Sequence, residues 1–269
     1  MEYKLPKLPL RAENSNKGTF GKVINFAGSK FMPGAAYLSS VSALRMGAGY
    51  VKLSSEESVL NTVTKLAPEI VLTTSNEISY DINTISFGCG CDINDKTKNL
   101  LLNIHKNRKN IPTIIDADGL NVLADISLSF DKNTIITPHP KEASRLLNSS
   151  IDDILDNLQL SAKQLSEKYN CITVLKTHNT IVTNGTNFYI NKSGNSALAK
   201  AGSGDILCGM IAGLLAQGMT TYDASKLGVY LHGLAGEIAS KELSEYCVLA
   251  SDLLKYIPLA IKSYINQNS

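Results

Sequence analysis

The sequence predicts an α/β fold built on a mostly parallel sheet. Short runs of apolar and β-branched residues alternate with longer segments of helical periodicity, which is the pattern of βα units. Several short runs lack the period-two alternation of half-exposed strands, as expected when helices cover both faces of a sheet. No internal repeat, linker or low-complexity segment interrupts this pattern. We therefore expect a single domain over residues 1–269.

The elements follow one another in a regular order. The predicted strands are Lys22–Ala27, Tyr50–Ser54, Glu69–Thr73, Thr84–Gly88, Pro112–Asp116, Asn133–Thr137 and Cys171–Lys176. Asn184 and Gly185 give a tight-turn signal that predicts a hairpin between Thr180–Thr183 and Asn187–Asn191. The predicted helices are Gly34–Met46, Ser55–Leu66, Lys96–Lys106, Pro140–Leu147, Ile151–Tyr169, Asp205–Gln217, Tyr222–Lys241 and Ala250–Ile265. Gly209 and Gly213, four residues apart in one helix, predict the close approach of another backbone.

Composition restricts the class of protein. A chain of 269 residues with 43% hydrophobic content is long enough to bury a large core. Its net charge of +2 predicts neither nucleic-acid binding nor membrane binding by bulk electrostatics. No signal peptide is recognisable, and the longest apolar stretch, Ile206–Leu215, is far shorter than the roughly 20 residues that span a bilayer. We expect a soluble, cytoplasmic protein.

The cysteines predict reduced thiols. They are five in number and scattered along the chain, which does not suggest a disulfide framework. Cys89 and Cys91 form a C-x-C pair, but no second pair and no nearby histidine completes a zinc site. Cys208 lies in an apolar helical segment, where a small core residue is expected.

The strongest functional signal is a glycine-rich loop that leads into an apolar helix at residues 199–209. Gly202, Ser203 and Gly204 allow backbone N–H groups to approach an anion, and the helix that begins near Asp205 adds the positive end of its dipole. A carboxylate in such a loop repels phosphate unless it accepts a proton or holds a metal. We interpret Asp205 as a catalytic base or metal-holding acid beside a nucleotide's phosphates. The alternative is that it only caps the helix.

Further polar residues follow the predicted strands, at the edge where open α/β sheets bind ligands. These loops contain Gly28–Ala36, Gly88–Asp92, Asp116 and Asp118 with Asn121, Thr137–Glu142, and Lys176–Thr180. Each has a simpler alternative: the aspartates end a strand and cap a helix, His139 caps the helix that starts at Pro140, and Lys176 is solvated. If His139 lines a site, the helix dipole disfavours its protonation and leaves a neutral imidazole. From topology, we expect Lys176 to face the loop of Asp205.

Taken together, several sequence blocks resemble one enzyme family. They are Gly18–Lys22, Ala27–Ser29, Met32–Ala36, Leu66–Glu69, Asp116–Asn121, Thr137–Glu142, Leu175-Lys176, Gly194-Asn195 and Ala201–Asp205. In this order, from about Leu8 to Lys262, they are similar to the ADP- or ATP-dependent NAD(P)H-hydrate dehydratases of the ribokinase-like superfamily. The glycine loop is common to many kinases of that superfamily, whereas the Met-Pro-Gly-Ala-Ala and Thr-Pro-His-Pro blocks are much more particular.

The resemblance implies a three-layer α/β/α fold and repair of hydrated NADH or NADPH. The S epimer would be dehydrated with ADP or ATP and Mg²⁺, through phosphorylation of the C6 hydroxyl and elimination of phosphate. Asp205 would be the general base. The hydrated dinucleotide would contact Ala36, Gly90, His139 and Asp205. The adenine nucleotide would be held by Lys176, Thr177, His178, Asn179, Thr180 and Gly204, beside the anion loop of Gly202 and Ser203. Further candidates are Asp116, Asp118, Asn121 and Asn195, and the metal ligands stay unassigned.

Two positions depart from the family pattern. Asn16 stands where many relatives carry histidine before Lys17 and Gly18. Gly-Cys-Gly-Cys at 88–91 replaces a more usual Gly-Pro-Gly-Leu but keeps both glycines, so we expect the same loop shape. The resemblance also implies a homo-oligomer, with a tetramer as the expected form. The length leaves no room for the epimerase domain that is fused to many relatives.

Two alternative functions stay open. One is a small-molecule kinase of the same superfamily that phosphorylates a thiazole or pyrimidine alcohol with the same Asp205 and anion loop. The other is a module that senses adenine nucleotides without turnover. Asp205 speaks against the second, because binding alone gains little from a carboxylate beside phosphates.

Overall fold

A nine-stranded sheet forms the centre of the computed structural model, which describes residues 5–268. The strands lie in the order β3-β2-β1-β4-β5-β6-β7-β8-β9. They span Lys22–Phe26 (β1), Tyr50–Ser54 (β2), Val71–Thr73 (β3), Thr84–Phe87 (β4), Thr113–Ile115 (β5), Thr134–Ile136 (β6), Ile172–Leu175 (β7), Ile181–Thr183 (β8) and Phe188–Ile190 (β9). The first seven pair in parallel, and the β8–β9 hairpin adds antiparallel strands beside β7. The mostly parallel sheet and the hairpin are confirmed.

Helices cover both faces of this sheet. On one face lie α1 (Pro33–Arg45), α2 (Glu57–Leu66), α8 (Ser203–Ala216), α9 (Thr221–Leu243) and α10 (Ala250–Asn268). On the other lie α3 (Asp95–Asn107), α4 (Asp118–Ala124), α5 (Pro140–Leu147), α6 (Ile151–Asp156) and α7 (Leu158–Tyr169). Neighbouring residues of one strand enter different cores, as Ile114 and Ile115 do, because side chains alternate across a sheet. The three-layer α/β/α fold is therefore confirmed. The predicted single domain remains a prediction, and its residues 1–4 and 269 lie outside the described residues.

Three helical predictions need correction. The segment predicted as one helix, Ile151–Tyr169, is two helices, because Asn157 leaves helical geometry with φ −132° and ψ 47°. Helix α4 was not predicted, because its seven residues are too few to show a helical period. Helix α8 begins at Ser203, so Gly204 and Asp205 belong to its first turn, and Gly202 precedes it at φ 90°.

Helices α1 and α8 pack with almost no space between their backbones. A Cβ placed on Gly209 would lie 2.0 Å from the Ser39 carbonyl oxygen, and one on Gly213 would lie 2.5 Å from that of Ala43. The predicted close approach is confirmed. This contact fixes the position of α8, and therefore of the anion loop at its N-terminus.

In the part of the chain that the structure describes, no helix combines the length and the apolar character needed to cross a bilayer.

Gly209→Ala should destabilise the protein by about 1–3 kcal/mol, because the added methyl group overpacks the α1–α8 contact. The matched control is Gly34→Ala in α1, where no described atom lies within 4 Å of the new Cβ. That control should be neutral or more stable by about 0.5–1 kcal/mol. Urea unfolding followed by circular dichroism measures both changes. Equal unfolding midpoints for the two variants would contradict the tight contact.

Candidate functional site

A cavity of about 830 Å³ opens at the carboxyl ends of β6 and β7, where the β7–β8 loop, the residues after β9 and the start of α8 meet. Its lining includes most of the predicted nucleotide-binding residues, namely Lys176, Thr177, His178, Thr180 and Gly204. Ser203, Asn195 and His139 also line it. Of the predicted nucleotide segment, Asn179 is exposed and does not belong to this lining.

The first turn of α8 forms the floor of this cavity. Ser203 N–H donates to the Lys200 carbonyl, and Ile206 N–H donates to that of Gly202. The N–H groups of Gly204 and Asp205 lie between them, in the turn where a helix leaves amides without intrahelical acceptors. The N-cap position belongs to Gly202, with no side-chain cap. The alternative of Asp205 as an N-cap is therefore wrong, and the anion loop at Gly202 and Ser203 stays a prediction.

A buried ion pair lies directly against this turn. Lys176 Nζ donates to Asp116 Oδ1 at 2.5 Å and lies 3.9 Å from Glu142 Oε2. A Cβ on Gly204 would lie 3.6 Å from Lys176 Nζ and 3.7 Å from Asp116 Oδ2. The predicted position of Lys176, facing the loop of Asp205, is confirmed. Its side chain is only 19% exposed, so the solvated alternative is wrong.

The charges around Lys176 shift the pKa values of both Lys176 and Glu142. Burial by itself would lower the pKa of Lys176, but the carboxylates of Asp116 and Glu142 outweigh burial and raise it. Burial raises the pKa of Glu142, with Lys176 opposing that change. Lys176 is therefore held as a cation between two carboxyl groups, in the position where a ligand's negative charge would meet it.

Asp205 has the electrostatic properties of a proton acceptor. Burial and the neighbouring Asp116 raise its pKa to about 6, against the opposing effects of a hydrogen bond with Cys89 and the charge of Lys176. At neutral pH the group is a carboxylate that gains a proton readily. A general base works best when its pKa lies close to the working pH.

His139 has a structural role and also lines the cavity. Its Nδ1 accepts the N–H groups of Lys141 and Glu142, while a Glu142 carboxylate oxygen accepts the His139 N–H at 2.8 Å. The predicted capping alternative is therefore confirmed as a reciprocal capping box at α5. Burial and then Lys176 lower the pKa of His139. The direction of this pKa shift agrees with the prediction, and burial is its main cause.

Asp116 and Asp118, which follow β5, have different partners. Asp116 accepts the Ala117 N–H and the Lys176 ammonium on Oδ1. Asp118 instead accepts the Asp92 N–H at 3.0 Å and the Asn121 amide at 3.4 Å. Ala117 is the N-cap of α4 and has no side-chain cap, so the alternative of capping aspartates is wrong. Asp118 and Asn121 thus support the loop of residues 88–92 and do not line the cavity.

Ala36 and Gly90 were predicted to contact the hydrated dinucleotide. They lie on the side of the site where Asp118 supports the loop of residues 88–92. Ala36 is fully buried, and a Cβ on Gly28 would lie 2.8 Å from its side chain. A Cβ on Gly90 would lie 2.7 Å from that of Ala35. These positions hold the loops after β1 and β4 in contact with each other. Asn16 accepts the Gly18 N–H at 2.8 Å and closes a local turn at the N-terminal end of the chain.

Two features of the cavity could not be predicted from the sequence. They are the contact of His232 with Ser203 and the lack of a described partner for the Thr177 hydroxyl. His232 on α9 is buried and lies 3.2 Å from Ser203 Oγ through Nε2, and burial lowers its pKa to about 4. A lone histidine in an apolar helix gives no sequence signal for this role. Thr177 was predicted, but its buried Oγ1 has no hydrogen-bond partner among the described residues. Buried hydroxyl groups normally find a partner, so this hydroxyl remains available for a further hydrogen bond.

Comparison with known proteins agrees with this site. The family model described as NAD(P)H-hydrate dehydratase matches residues 23–259. The ADP-dependent (S)-NAD(P)H-hydrate dehydratase of Neisseria meningitidis is 36% identical over 253 residues, which cover 91% of this chain and 84% of that protein. A bifunctional NAD(P)H-hydrate repair enzyme of Thermofilum pendens is 33% identical over 95% of this chain, which spans only 52% of that enzyme.

A solved structure extends the likeness to three dimensions. The ADP/ATP-dependent NAD(P)H-hydrate dehydratase of Bacillus subtilis, co-crystallised with ATP and Mg²⁺, superposes with a TM-score of 0.87 at 29% identity. The superposition covers 96% of this chain and 94% of that one. By sequence and by its ribokinase-like fold, this chain belongs to the NAD(P)H-hydrate dehydratase family.

Proposed function

We propose that this protein dehydrates the S epimer of hydrated NADH or NADPH with the help of ADP or ATP. The observation that carries the proposal is Asp205, a half-buried carboxylate with a raised pKa in the first turn of α8, beside the Asp116–Lys176 pair. The names of the relatives from Neisseria meningitidis and Bacillus subtilis describe this same reaction. The hydrated dinucleotide and the adenine nucleotide are accordingly the two partners.

The adenine nucleotide fits the 830 Å³ cavity. The N–H groups of the first α8 turn and the Lys176 ammonium offer donors for phosphate oxygens. Thr177 Oγ1 offers a hydroxyl that has no other described partner. We assign the nucleotide to Lys176, Thr177, His178, Thr180 and Gly204, with Asn195 beside them, whereas Asn179 lies outside the cavity lining.

Asp205 would act on the hydrated dinucleotide. Hydroxide is a poor leaving group, so transfer of a phosphoryl group to the C6 oxygen makes its departure easier. Asp205 would accept the hydroxyl proton as that oxygen attacks phosphorus, and the bond from phosphorus to the nucleotide would break. The ring nitrogen's electron pair then expels phosphate from C6, and loss of a proton from C5 completes the double bond.

Mg²⁺ is part of this proposal. Asp116 presents its second carboxylate oxygen, Oδ2, toward the first turn of α8, and carboxylate oxygens are the hard donors that Mg²⁺ prefers. This residue would hold the ion near the phosphates. When bound, it would neutralise charge on the transferred phosphoryl group.

The remaining assignments complete the proposal. Ala36, Gly90 and His139 would contact the hydrated dinucleotide, with Asp118 and Asn121 supporting the loop of Gly90. Since Nδ1 of His139 accepts backbone N–H groups, Nε2, which lies 3.4 Å from Glu142 Oε1, is the ring nitrogen that would face the dinucleotide. We also propose a cytoplasmic homo-oligomer, expected to be a tetramer.

The central prediction is an absorbance recovery. Hydrated NADH lacks the conjugated dihydropyridine, so its long-wavelength absorbance should return on mixing with the protein, Mg²⁺ and ADP or ATP. Inorganic phosphate should appear in step with it. About half of an epimer mixture should react quickly, because one C6 configuration places its hydroxyl beside Asp205.

The matched control for this assay is Asp205→Asn. It keeps the size of the side chain and removes the base, so turnover should fall by about 10²–10⁴-fold while calorimetry still detects nucleotide binding. Phosphorylation of a thiazole or pyrimidine alcohol, without any absorbance recovery, would replace the dehydratase proposal with the kinase alternative.

Activity should depend on the ionisation of Asp205. Because the base must be charged, kcat/KM should be level above a pH of about 6 and fall below it. The decrease should approach about tenfold per pH unit. The raised pKa means that protonating this group favours the fold, so near-ultraviolet circular dichroism should stay constant while activity falls. A profile that is flat down to pH 5 would exclude Asp205 as the base.

Two substitutions separate the roles of His139. His139→Ala removes a helix cap and should lower stability by about 0.5–2 kcal/mol, whereas His139→Asn supplies a good cap and should retain stability. Both should raise KM for the hydrate and leave ADP affinity within about a factor of ten, or roughly 1.4 kcal/mol. Thermal unfolding and steady-state kinetics measure these effects. If His139→Asn restores KM as well, His139 is a cap without a substrate contact.

A further inference from the structure

Behind the anion loop, the fold brings together two thiols and a carboxylate. Cys89 Sγ, Cys208 Sγ and a carboxylate oxygen of Asp116 all lie within 4.8 Å of one another. Cys89 follows β4, Asp116 follows β5, and Cys208 lies on α8. The three residues are at most 1% exposed. Their positions are therefore set by the central sheet and by the tight α1–α8 contact.

Asp205 extends this group. Its carboxylate and the Cys89 thiol influence each other's ionisation, and it lies three residues before Cys208 on the same face of α8, outside the 4.8 Å cluster itself. The donor set is therefore two sulfur atoms and two carboxyl groups on three segments of the chain. Cys91, two residues along the same loop, is not part of it, because its thiol donates to the Phe26 carbonyl.

The charge at this position favours a cation. The carboxylates of Asp116 and Asp205 both act on the buried Cys89 thiol. Lys176 balances one carboxylate from the cavity side, where it bonds to Asp116 Oδ1. A divalent cation among these donors would stabilise thiolates that are otherwise costly to form.

We propose that Cys89, Cys208 and Asp116 bind a thiophilic divalent cation such as Zn²⁺ or Cd²⁺, with Asp205 as the fourth ligand. Thiolates select such ions over Mg²⁺, and four ligands of sulfur and oxygen satisfy tetrahedral zinc. Two thiolates at about 2.3 Å from zinc lie about 3.8 Å apart, so the two sulfur atoms, which lie within 4.8 Å of each other, need to approach by at most about 1 Å. Binding would release the two thiol protons to solvent and leave the oxidation state of sulfur unchanged.

Such an ion would inhibit the enzyme. Its bonds would occupy the carboxylates of Asp205 and Asp116, so Asp205 could no longer accept a proton. This consequence rests on the proposed function, whereas the binding itself does not. Cys89 also stands where the resembling sequences usually carry proline, which makes the site a property of this chain.

Direct binding is the first test. The reduced protein in excess Mg²⁺ is titrated anaerobically with Co²⁺ and separately with Cd²⁺. We expect one ion per chain, with thiolate-to-metal charge-transfer absorption and, for Co²⁺, the intense visible bands of tetrahedral coordination. Cys89→Ala and Cys208→Ser should each weaken binding at least tenfold, or roughly 1.4 kcal/mol, and diminish the charge-transfer absorption.

The matched control is Cys91→Ala, which removes a thiol from the same loop and should bind as the original protein does. Circular dichroism and a nucleotide-induced rise in Tm check that each variant is folded. If Cys208→Ser does not fold, Cys89→Ala decides the question. No charge-transfer absorption in the original protein, or full binding by Cys89→Ala, would overturn the site.

Turnover provides the second test. Micromolar Zn²⁺ should reduce hydrate dehydration by the original protein and by Cys91→Ala, and a chelator should restore it. Cys89→Ala should lose this sensitivity, judged by the ratio of its own rates with and without Zn²⁺. Charge-transfer absorption without inhibition would support the thiol site and overturn Asp205 as its fourth ligand. Absence of dehydratase activity under all conditions would refute the proposed function without affecting the binding result.

Discussion

The buried ion pair between Asp116 and Lys176 is the interaction on which the site depends. It joins the carboxyl ends of β5 and β7 at a place where both side chains have lost most of their contact with water. Removing one partner of such a pair costs about 3–5 kcal/mol, because the other charge stays buried alone. The pair also reaches Glu142 on α5 and the first turn of α8. One cation therefore connects the segments that make the cavity.

This pair also sets the ionisation of its neighbours. Asp116 raises the pKa of Asp205, and Lys176 lowers those of Asp205 and His139. Burial is the largest cause in both of these groups, so the charges adjust what the fold first imposes. The result is a carboxyl group whose pKa is raised to about 6 and an imidazole whose pKa is lowered.

The backbone supplies the rest of the site. Gly202 adopts a left-handed conformation that begins α8, and Gly209 lets the same helix approach α1 without intervening side chains. The packing that holds the N-terminus of α8 against the sheet edge therefore lies about one helical turn or more beyond Asp205. The capping box of His139 fixes α5 in a similar way and places Glu142 near Lys176. Structural and ligand-facing roles are thus combined in the same residues.

By itself, the sequence determined the parallel sheet, the hairpin, the glycine-rich start of α8 and the placement of Lys176 at a strand end. These features depend on local periodicity, on glycine, and on the rule that parallel strands end at one edge, all of which are visible along the chain. The division of Ile151–Tyr169 at Asn157 and the short α4 were not visible, because neither contains enough residues to establish a period.

Only the tertiary structure decided which distant side chains meet. His232 reaches Ser203 from α9, and Cys208 joins Cys89, through packing of helices on one sheet face. The pKa of Asp205 likewise follows from burial and from Asp116, which is far from it along the chain. Contacts between segments and the loss of water around a charge depend on three-dimensional packing, and no local pattern of residues encodes them.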